Sequence, residues 1–259
     1  MTPTPPTDVA DFYDAIAPFY DDMTGTRERI GRDEKTFHSL VHSNKISDAL
    51  DAGTGSGAHA LLLARLGVNM TGIDIAPAMI DRLTRNAAEL GLSVTGLVAP
   101  MQNLPTSMNE SFDAVFCLGN TFPHLRSREE RRSAVQGFYR VLRPGGLVIL
   151  QFLNFDMIRP DSRLPRFLTQ VHTSSMERRY EPTAEGVRLV IRRNDVAHAD
   201  TQTFSLDLLP VRPPEMLALL ESEGFTAVSL AGDLSGGAWN PETSHDIVVT
   251  ARKSPSRQH

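Results

Sequence analysis

Three glycines fall within five residues in the stretch Leu50-Asp51-Ala52-Gly53-Thr54-Gly55-Ser56-Gly57, and a second carboxylate, Asp74, follows 23 residues after Asp51. Such a loop lets the backbone turn sharply and approach a ligand closely, and a helix that follows it offers free N–H groups. Asp74, at the end of the next strand, is placed to accept hydrogen bonds from a ribose diol. The pattern Gly53-x-Gly55-x-x-Ala58 also satisfies the dinucleotide fingerprint. Asp51 separates the two readings. A carboxylate immediately before the loop repels a pyrophosphate, whereas it suits a nucleoside whose tail carries an ammonium or sulfonium charge and no phosphate.

Other residues invite weighing one by one. Tyr13 and Tyr20 are two of only four tyrosines, and a spacing of seven puts them near one face of a helix. They serve either as packing or as part of a lid with Phe12 and Phe19 whose rings face a cation. Arg27, Arg29 and Arg32 read first as solvated charges. His124 follows Pro123 in a loop after a strand, where ligands of parallel sheets gather. Cys117 reads as a buried apolar residue rather than a nucleophile. His172, His198 and His245 lack metal-ligand spacing, so no metal is expected. Trp239 is a loop anchor or a pocket wall.

These residues need a scaffold, and apolar periodicity supplies one. Helices are expected over 8–23 and 28–42, the first kinked or split by Pro18. Strands at 46–51, 68–74, 93–98, 112–118 and 146–152 alternate with helices at 58–66, 77–90 and 127–142. Pro77 opens one of these helices, and Ser127 with Glu130 caps another. Strands separated by helix-length segments imply parallel pairing and a doubly wound sheet. Beyond Asp156, strands at 174–180, 187–195 and 201–209, with turns at Gly186 and 197–199, predict a small antiparallel sheet. A helix at 213–223 and strands at 225–230 and 246–251 then complete the main sheet. The expected division is an N-terminal helical cover (1–44), an α/β core (45–156), a substrate cap (157–212) and a C-terminal completion (213–259). Met1 to Pro6 and the segment from Lys253 to His259 read as flexible ends.

Composition narrows the class. With 26 Lys+Arg against 31 Asp+Glu, the net charge is -5, and the chain lacks the basic footprint of a nucleic-acid binder. No apolar run approaches the roughly 20 residues of a membrane helix, and the N-terminus lacks the features of a signal peptide. One cysteine cannot form an intramolecular disulfide. A cytoplasmic enzyme is the expectation.

S-adenosylmethionine has the chemistry that Asp51 and Asp74 select: adenine, ribose, an amino-acid tail and a cationic sulfur. From Tyr13 to Asp156 the sequence resembles the class I S-adenosylmethionine-dependent methyltransferases. The resemblance rests on the glycine loop, Gly72-Ile73-Asp74-Ile75 with Met79, Phe112-Asp113-Ala114-Val115, and Val141-Leu142-Arg143-Pro144-Gly145-Gly146. It implies a Rossmann-like seven-stranded sheet with only the last strand antiparallel. Cys117-Leu118-Gly119-Asn120-Thr121-Phe122-Pro123-His124-Leu125 and Asn154-Phe155-Asp156 are similar to segments of the glycine and sarcosine N-methyltransferases. The implied cofactor-binding set is Tyr20, Asp51, Gly53, Thr54, Gly55, Asp74, Ile75, Met79, Met101, Gln102, Leu118 and His124. Ile75 and Met79 pack on the adenine, Asp74 holds the ribose, and Met101 and Gln102 flank the adenine amine. Arg32, or else Arg29, pairs with the cofactor carboxylate. Tyr13, Tyr20, Asn120 and His124 are the candidates for positioning the acceptor.

Two departures stand beside the matches. The family reads His-Arg-Asn-Tyr-Asp at strand five, its Arg holding the substrate carboxylate, where this chain has Phe152-Leu153-Asn154-Phe155-Asp156. Pro100 stands where many class I enzymes place an Asp for the adenine amine, so Gln102 or a backbone carbonyl must serve. The leading expectation is N-methylation of a small amine, with O- or C-methylation and cofactor binding without transfer as alternatives. A nicotinamide-dependent oxidoreductase is a more distant one. The expected partner is a small-molecule methyl acceptor, with neither nucleic acid nor membrane; the oligomeric state is left open.

Overall fold

The computed structural model describes residues 8–158, 167–171, 174–195 and 200–255. The chain starts with helices α1 (Val9–Ile16), α2 (Tyr20–Thr24), α3 (Thr26–Arg32) and α4 (Glu34–Asn44). It then alternates through β1 (Asp48–Ala52), α5 (Ala58–Arg65), β2 (Asn69–Asp74), α6 (Pro77–Glu89), β3 (Val94–Val98), β4 (Phe112–Cys117), α7 (Arg128–Val141) and β5 (Leu142–Leu153). Strands β6 (Phe167–Val171), β7 (Ser174–Pro182), β8 (Val187–Asp195) and β9 (Asp200–Leu208) follow, and α8 (Pro213–Ser222), β10 (Phe225–Ala231) and β11 (Asp246–Lys253) complete the chain.

The seven-stranded sheet runs β10-β11-β5-β4-β1-β2-β3. β11 lies antiparallel to both of its neighbours, and the other pairings are parallel. The expected fold class is therefore the observed one. Strands β1 and β4 are buried on both faces apart from Asp48 and Asp113 near their starts, so neither shows the apolar and polar alternation of a half-exposed strand. One core layer joins the sheet to α7 and α8 through Phe138, Val141, Met216 and Leu220. The other joins it to α4, α5 and α6 through Phe37, Leu61, Leu62 and Leu83. The Ser127 capping box forms as the sequence predicts, with Glu130 N–H donating to Ser127 Oγ at 3.0 Å and Ser127 N–H to Glu130 Oε2 at 3.0 Å.

The second sheet is the antiparallel order β6-β7-β8-β9. Periodicity found three of its strands and missed β6, which has only five residues. This sheet lies over the N-terminal helices, with Phe12, Ile16, Phe19 and Met23 packed among Met176, Leu189, Ile191 and Phe204. That apolar layer ties the cover to the cap.

Several boundaries differ from expectation for local reasons. The helix expected at 8–23 is broken by a 3-10 turn at Ala17–Phe19 around Pro18, so Tyr13 and Tyr20 sit on different helices. The one expected at 28–42 is interrupted at Asp33, and Gly25, at φ +61°, separates α2 from α3. β1 starts two residues late, and β5 starts at Leu142 because the Arg143-Pro-Gly-Gly segment joins β4 through a register shift. Lys253 belongs to β11, not to a tail. Its Nζ donates to the Leu142 carbonyl at 2.7 Å and pairs with Glu110 at 3.1 Å. Met1 to Pro6, the 197–199 turn, His172, His198 and the last four residues lie outside the described residues. Among the described residues no helix is long and apolar enough to cross a membrane.

Candidate active site

Strand order reverses at β1, since β2 and β3 build to one side of it and β4, β5, β11 and β10 to the other. Ligands of such sheets bind where the loops leaving the carboxyl ends of the two central strands part. Here those loops are 53–57 after β1 and 118–121 after β4. Gly53 and Thr54 both donate to the Ile73 carbonyl at 2.9 Å, which folds the first loop back over β2. Thr121 Oγ1 donates to the Leu118 carbonyl at 2.7 Å and fixes the second loop. The loops touch so closely that a Cβ on Gly53, at φ +76°, would lie 2.1 Å from Thr121 Cγ2.

A cavity of about 610 Å³ opens above this junction. Its floor holds Gly53, Gly55, Asp74 and Ile75, with Met101 and Gln102 at one end and Tyr13, Tyr20 and His124 over the loop. A second cavity of about 880 Å³ shares Gly119 with the first. Its walls carry Asn120, Leu153, Tyr180, Arg29, Arg178 and Asp246.

Most of the residues singled out in the sequence therefore surround one space. Asn120 and Arg32 belong to the second cavity instead. Asp51, Thr54, Met79 and Leu118 line neither. Met79 is fully buried beside Phe12 and Ile16, because α6 turns its apolar face towards α1. Leu118 packs in the core below Gly119. Asp51 lies under the loop, where Thr54 Oγ1 donates to it at 2.8 Å. Arg32 is exposed and engaged by Asp33 at 2.9 Å. Arg29 is the inward-facing arginine, 3.4 Å from His59 Nε2 and within electrostatic reach of Tyr20 and Asp51. Trp239 packs against the core as an anchor, and among the described residues no cluster suits a metal.

Asp74 organises the floor. Its two oxygens accept from Gly55 N–H and Ala76 N–H, each at 2.9 Å, so one carboxylate joins the glycine loop to the start of α6. Burial pushes its pKa up to about 6 despite these donors. Burial likewise pushes Asp51 up to about 7, opposed by the Thr54 hydrogen bond. Two buried carboxylates with too few cationic partners favour a positively charged ligand.

The roof is neutral and oriented. His124 Nδ1 lies 2.8 Å from the Thr121 carbonyl, which can only accept, so the ring proton is on Nδ1. Nε2 therefore accepts from the Tyr13 hydroxyl at 2.9 Å. Burial holds His124 down at about 4, which keeps the imidazole uncharged near neutral pH. With its proton committed to His124, Tyr13 can offer only oxygen lone pairs. Its ring stands 6.1 Å from that of Tyr20, whose hydroxyl hangs over Gly55.

Sequence reasoning missed Tyr180, Arg178, Gln151 and Asp246. Gln151 interrupts the apolar run 147–152, and this was the one readable signal. The Gly119 N–H donates to Gln151 Oε1 at 2.7 Å, and Asn120 Oδ1 accepts from Leu153 N–H at 3.0 Å. Gly119 and Asn120 both have positive φ, +72° and +68°, and strand β5 stabilises that conformation.

An S-adenosyl nucleoside can be tested against these features. The first cavity offers a carboxylate at the β2 end for a diol, apolar side chains at Ile75 and Met101 for a base, and acidic residues under the loop. It offers no phosphate cradle on its floor, where the loop is flanked by Asp51 and Asp74. The residues fit a cationic nucleoside and oppose a pyrophosphate.

Comparisons with known proteins agree. Residues 49–146 match a family model described as a methyltransferase domain. A glycine/sarcosine N-methyltransferase of Aphanothece halophytica is 26% identical over 214 residues, spanning 83% of this chain and 79% of the relative. The CcbJ methyltransferase of Streptomyces caelestis superposes with a TM-score of 0.76 at 21% identity, covering 94% of this chain and 98% of that one. CalS10, an amino pentose methyltransferase from Micromonospora echinaspora solved with S-adenosylmethionine bound, gives 0.66 at 22% identity, covering 86% and 90%. These two structural likenesses are likenesses of fold. The α/β core thus matches a methyltransferase domain, and this match, the loop chemistry and the similarity to the glycine/sarcosine N-methyltransferases support a class I S-adenosylmethionine-dependent methyltransferase.

Proposed function

We propose that this enzyme methylates the nitrogen of a small amine. The observation that carries the reading is the junction at Gly119, where the nucleoside cavity meets a second cavity walled by Asn120, Tyr180 and Leu153. The second cavity is large enough for a metabolite, and an acceptor there lies beside the first. The similarity to enzymes named for glycine and sarcosine supports an amine. Leu153, which replaces the arginine of that family, argues against glycine itself.

When bound, S-adenosylmethionine supplies a methyl group already activated by its sulfonium. The protein's task is then to align the acceptor and exclude water. In this reading Asp74 holds the ribose, Gly53 and Gly55 let the backbone approach, and Ile75, Met101 and Gln102 surround the base. Arg29, not Arg32, meets the carboxylate of the tail. Tyr13 and Tyr20 present oxygen lone pairs and ring faces to the sulfonium, with Tyr13 oriented by His124. Asn120 and Tyr180, which face the second cavity together, position the acceptor.

Equilibrium binding and transfer test the proposal together. The enzyme is expected to bind S-adenosylhomocysteine and not NADH, and to methylate at least one of glycine, sarcosine, ethanolamine and glucosamine. Transfer only to phenols or carboxylic acids would replace the amine reading with O-methylation. NADH binding without S-adenosylhomocysteine binding would remove the whole scheme.

A further inference from the structure

We propose that Asp246 is the proton acceptor that delivers the substrate amine in its reactive, unprotonated form, an inference that rests on the amine reading above. An amine with an ordinary pKa enters mostly as an ammonium ion, which has no lone pair for displacement. Some group at the junction of the two cavities has to take that proton.

Asp246 is placed there by topology. β11 is the antiparallel strand, so its first residue stands at the edge where the parallel strands end and ligands collect. In the β11–β5 register Asp246 faces Leu153 and Val248 faces Gln151. Residues two apart share a face, so Asp246 and Gln151 project from the same side of the sheet. The strand start is clamped, since Asn154 N–H donates to the His245 carbonyl at 2.8 Å. Gln151 Oε1 is occupied by Gly119 N–H at 2.7 Å, and the Gln151 side chain is near enough to Asp246 to favour its charged form. Asp246, Gln151 and Gly119, the residue shared by both cavities, thus line the second cavity together.

The alternatives are committed elsewhere. Asn120 Oδ1 is used by Leu153 N–H. His124 Nε2 is taken by Tyr13, and burial leaves that imidazole a weak base. Asp21, another carboxylate of the second cavity, is bound by Arg82 at 2.7 Å and Asn86 at 3.1 Å. Asp22 and Glu28, also in that cavity, lie on α2 and α3 and are exposed to solvent.

The charges around Asp246 set its proton affinity. Gln151 on β5, His245 just before β11 and Arg29 from α3 favour the carboxylate, and Asp233 in the loop after β10 opposes it. Arg178 and Tyr180 face the same cavity from β7. Burial outweighs the cations and raises the pKa above the ordinary aspartate value, which suits proton uptake. The proton moves from the ammonium nitrogen to a carboxylate oxygen, and the nitrogen keeps the electron pair of the broken N–H bond. The carboxyl group returns the proton to water after product leaves.

The test is Asp246→Asn in the full chain, assayed with S-adenosylmethionine and whichever of the four amines the parent enzyme methylates. At pH 7, kcat/KM should fall roughly a hundredfold. The deficit should shrink about tenfold per pH unit as the free amine becomes abundant, while S-adenosylhomocysteine affinity stays within about twofold, since Asp246 does not line the nucleoside cavity. A merely structural role would give a deficit that is constant with pH. That result, or activity equal to the parent at pH 7, would overturn the proposal while leaving amine methylation intact. A parent enzyme that methylates phenols or carboxylic acids and no amine would overturn both.

Discussion

Replacing Asp74 with alanine should weaken S-adenosylhomocysteine binding on the order of a hundredfold. The expectation follows from the hydrogen bonds that one side chain makes. Its oxygens accept from Gly55 N–H and Ala76 N–H at 2.9 Å each, and the residue lines the cavity. A ribose diol held by two charge-assisted hydrogen bonds, each worth about 1.5 kcal/mol, accounts for about 3 kcal/mol, or two decades in Kd. The alanine protein also leaves two buried N–H groups without an acceptor, which loosens the glycine loop. Burial raises the Asp74 pKa to about 6, so a ligand that needs the carboxylate binds more weakly as pH falls through 6. Titration calorimetry from pH 5 to 8 reads both effects, and the decline around pH 6 should flatten in Asp74→Ala. An affinity unchanged by the substitution would show that the ribose is held elsewhere.

Gly53→Ala should be more damaging than any other single methyl group added to the site. The residue has φ +76°, which costs an L-residue about 1–2 kcal/mol. The new Cβ would also stand 2.1 Å from Thr121 Cγ2. The loops after β1 and β4 would have to separate, adding about 1–3 kcal/mol of overpacking. A loss of about 3 kcal/mol in denaturant unfolding is expected. Turnover should drop about a hundredfold, because displacement of the site by an ångström is enough for that. The companion change Thr121→Ser removes the offending methyl and keeps the hydroxyl that donates to the Leu118 carbonyl. Gly53→Ala with Thr121→Ser should therefore recover the overpacking share of stability and not the dihedral share. No recovery at all would mean that the loop contact is not the cause.

The core was legible because its signals are local. Glycines, a strand-end carboxylate, Pro77 and the Ser127-Glu130 pair each act within a few residues, and Pro77 opens α6 and Ser127 caps α7 as their chemistry predicts. The second cavity was illegible because its wall is assembled from β5, β7, β11 and α3, which lie far apart in sequence. Tyr180 is one of four tyrosines, but only the packing of the cap against α1 and α2 brings it near Tyr13 and Tyr20. The choice between Arg29 and Arg32 depended on where α3 breaks at Asp33, a boundary that periodicity passed over. Met79 shows the converse error: a family motif suggested a ligand contact, and the amphipathic face of α6 sends that side chain into the core.

In the proposed complex the nucleoside lies over the Gly53 to Gly57 loop with its sulfur turned through the Gly119 junction towards the second cavity. A crystal structure with S-adenosylhomocysteine bound tests it most directly. The ribose is expected on Asp74, the base between Ile75 and Met101, and the sulfur beneath Tyr13 and Tyr20, facing Asn120. A nucleoside bound with its sulfur directed away from Gly119, or without contact to Asp74, would contradict it.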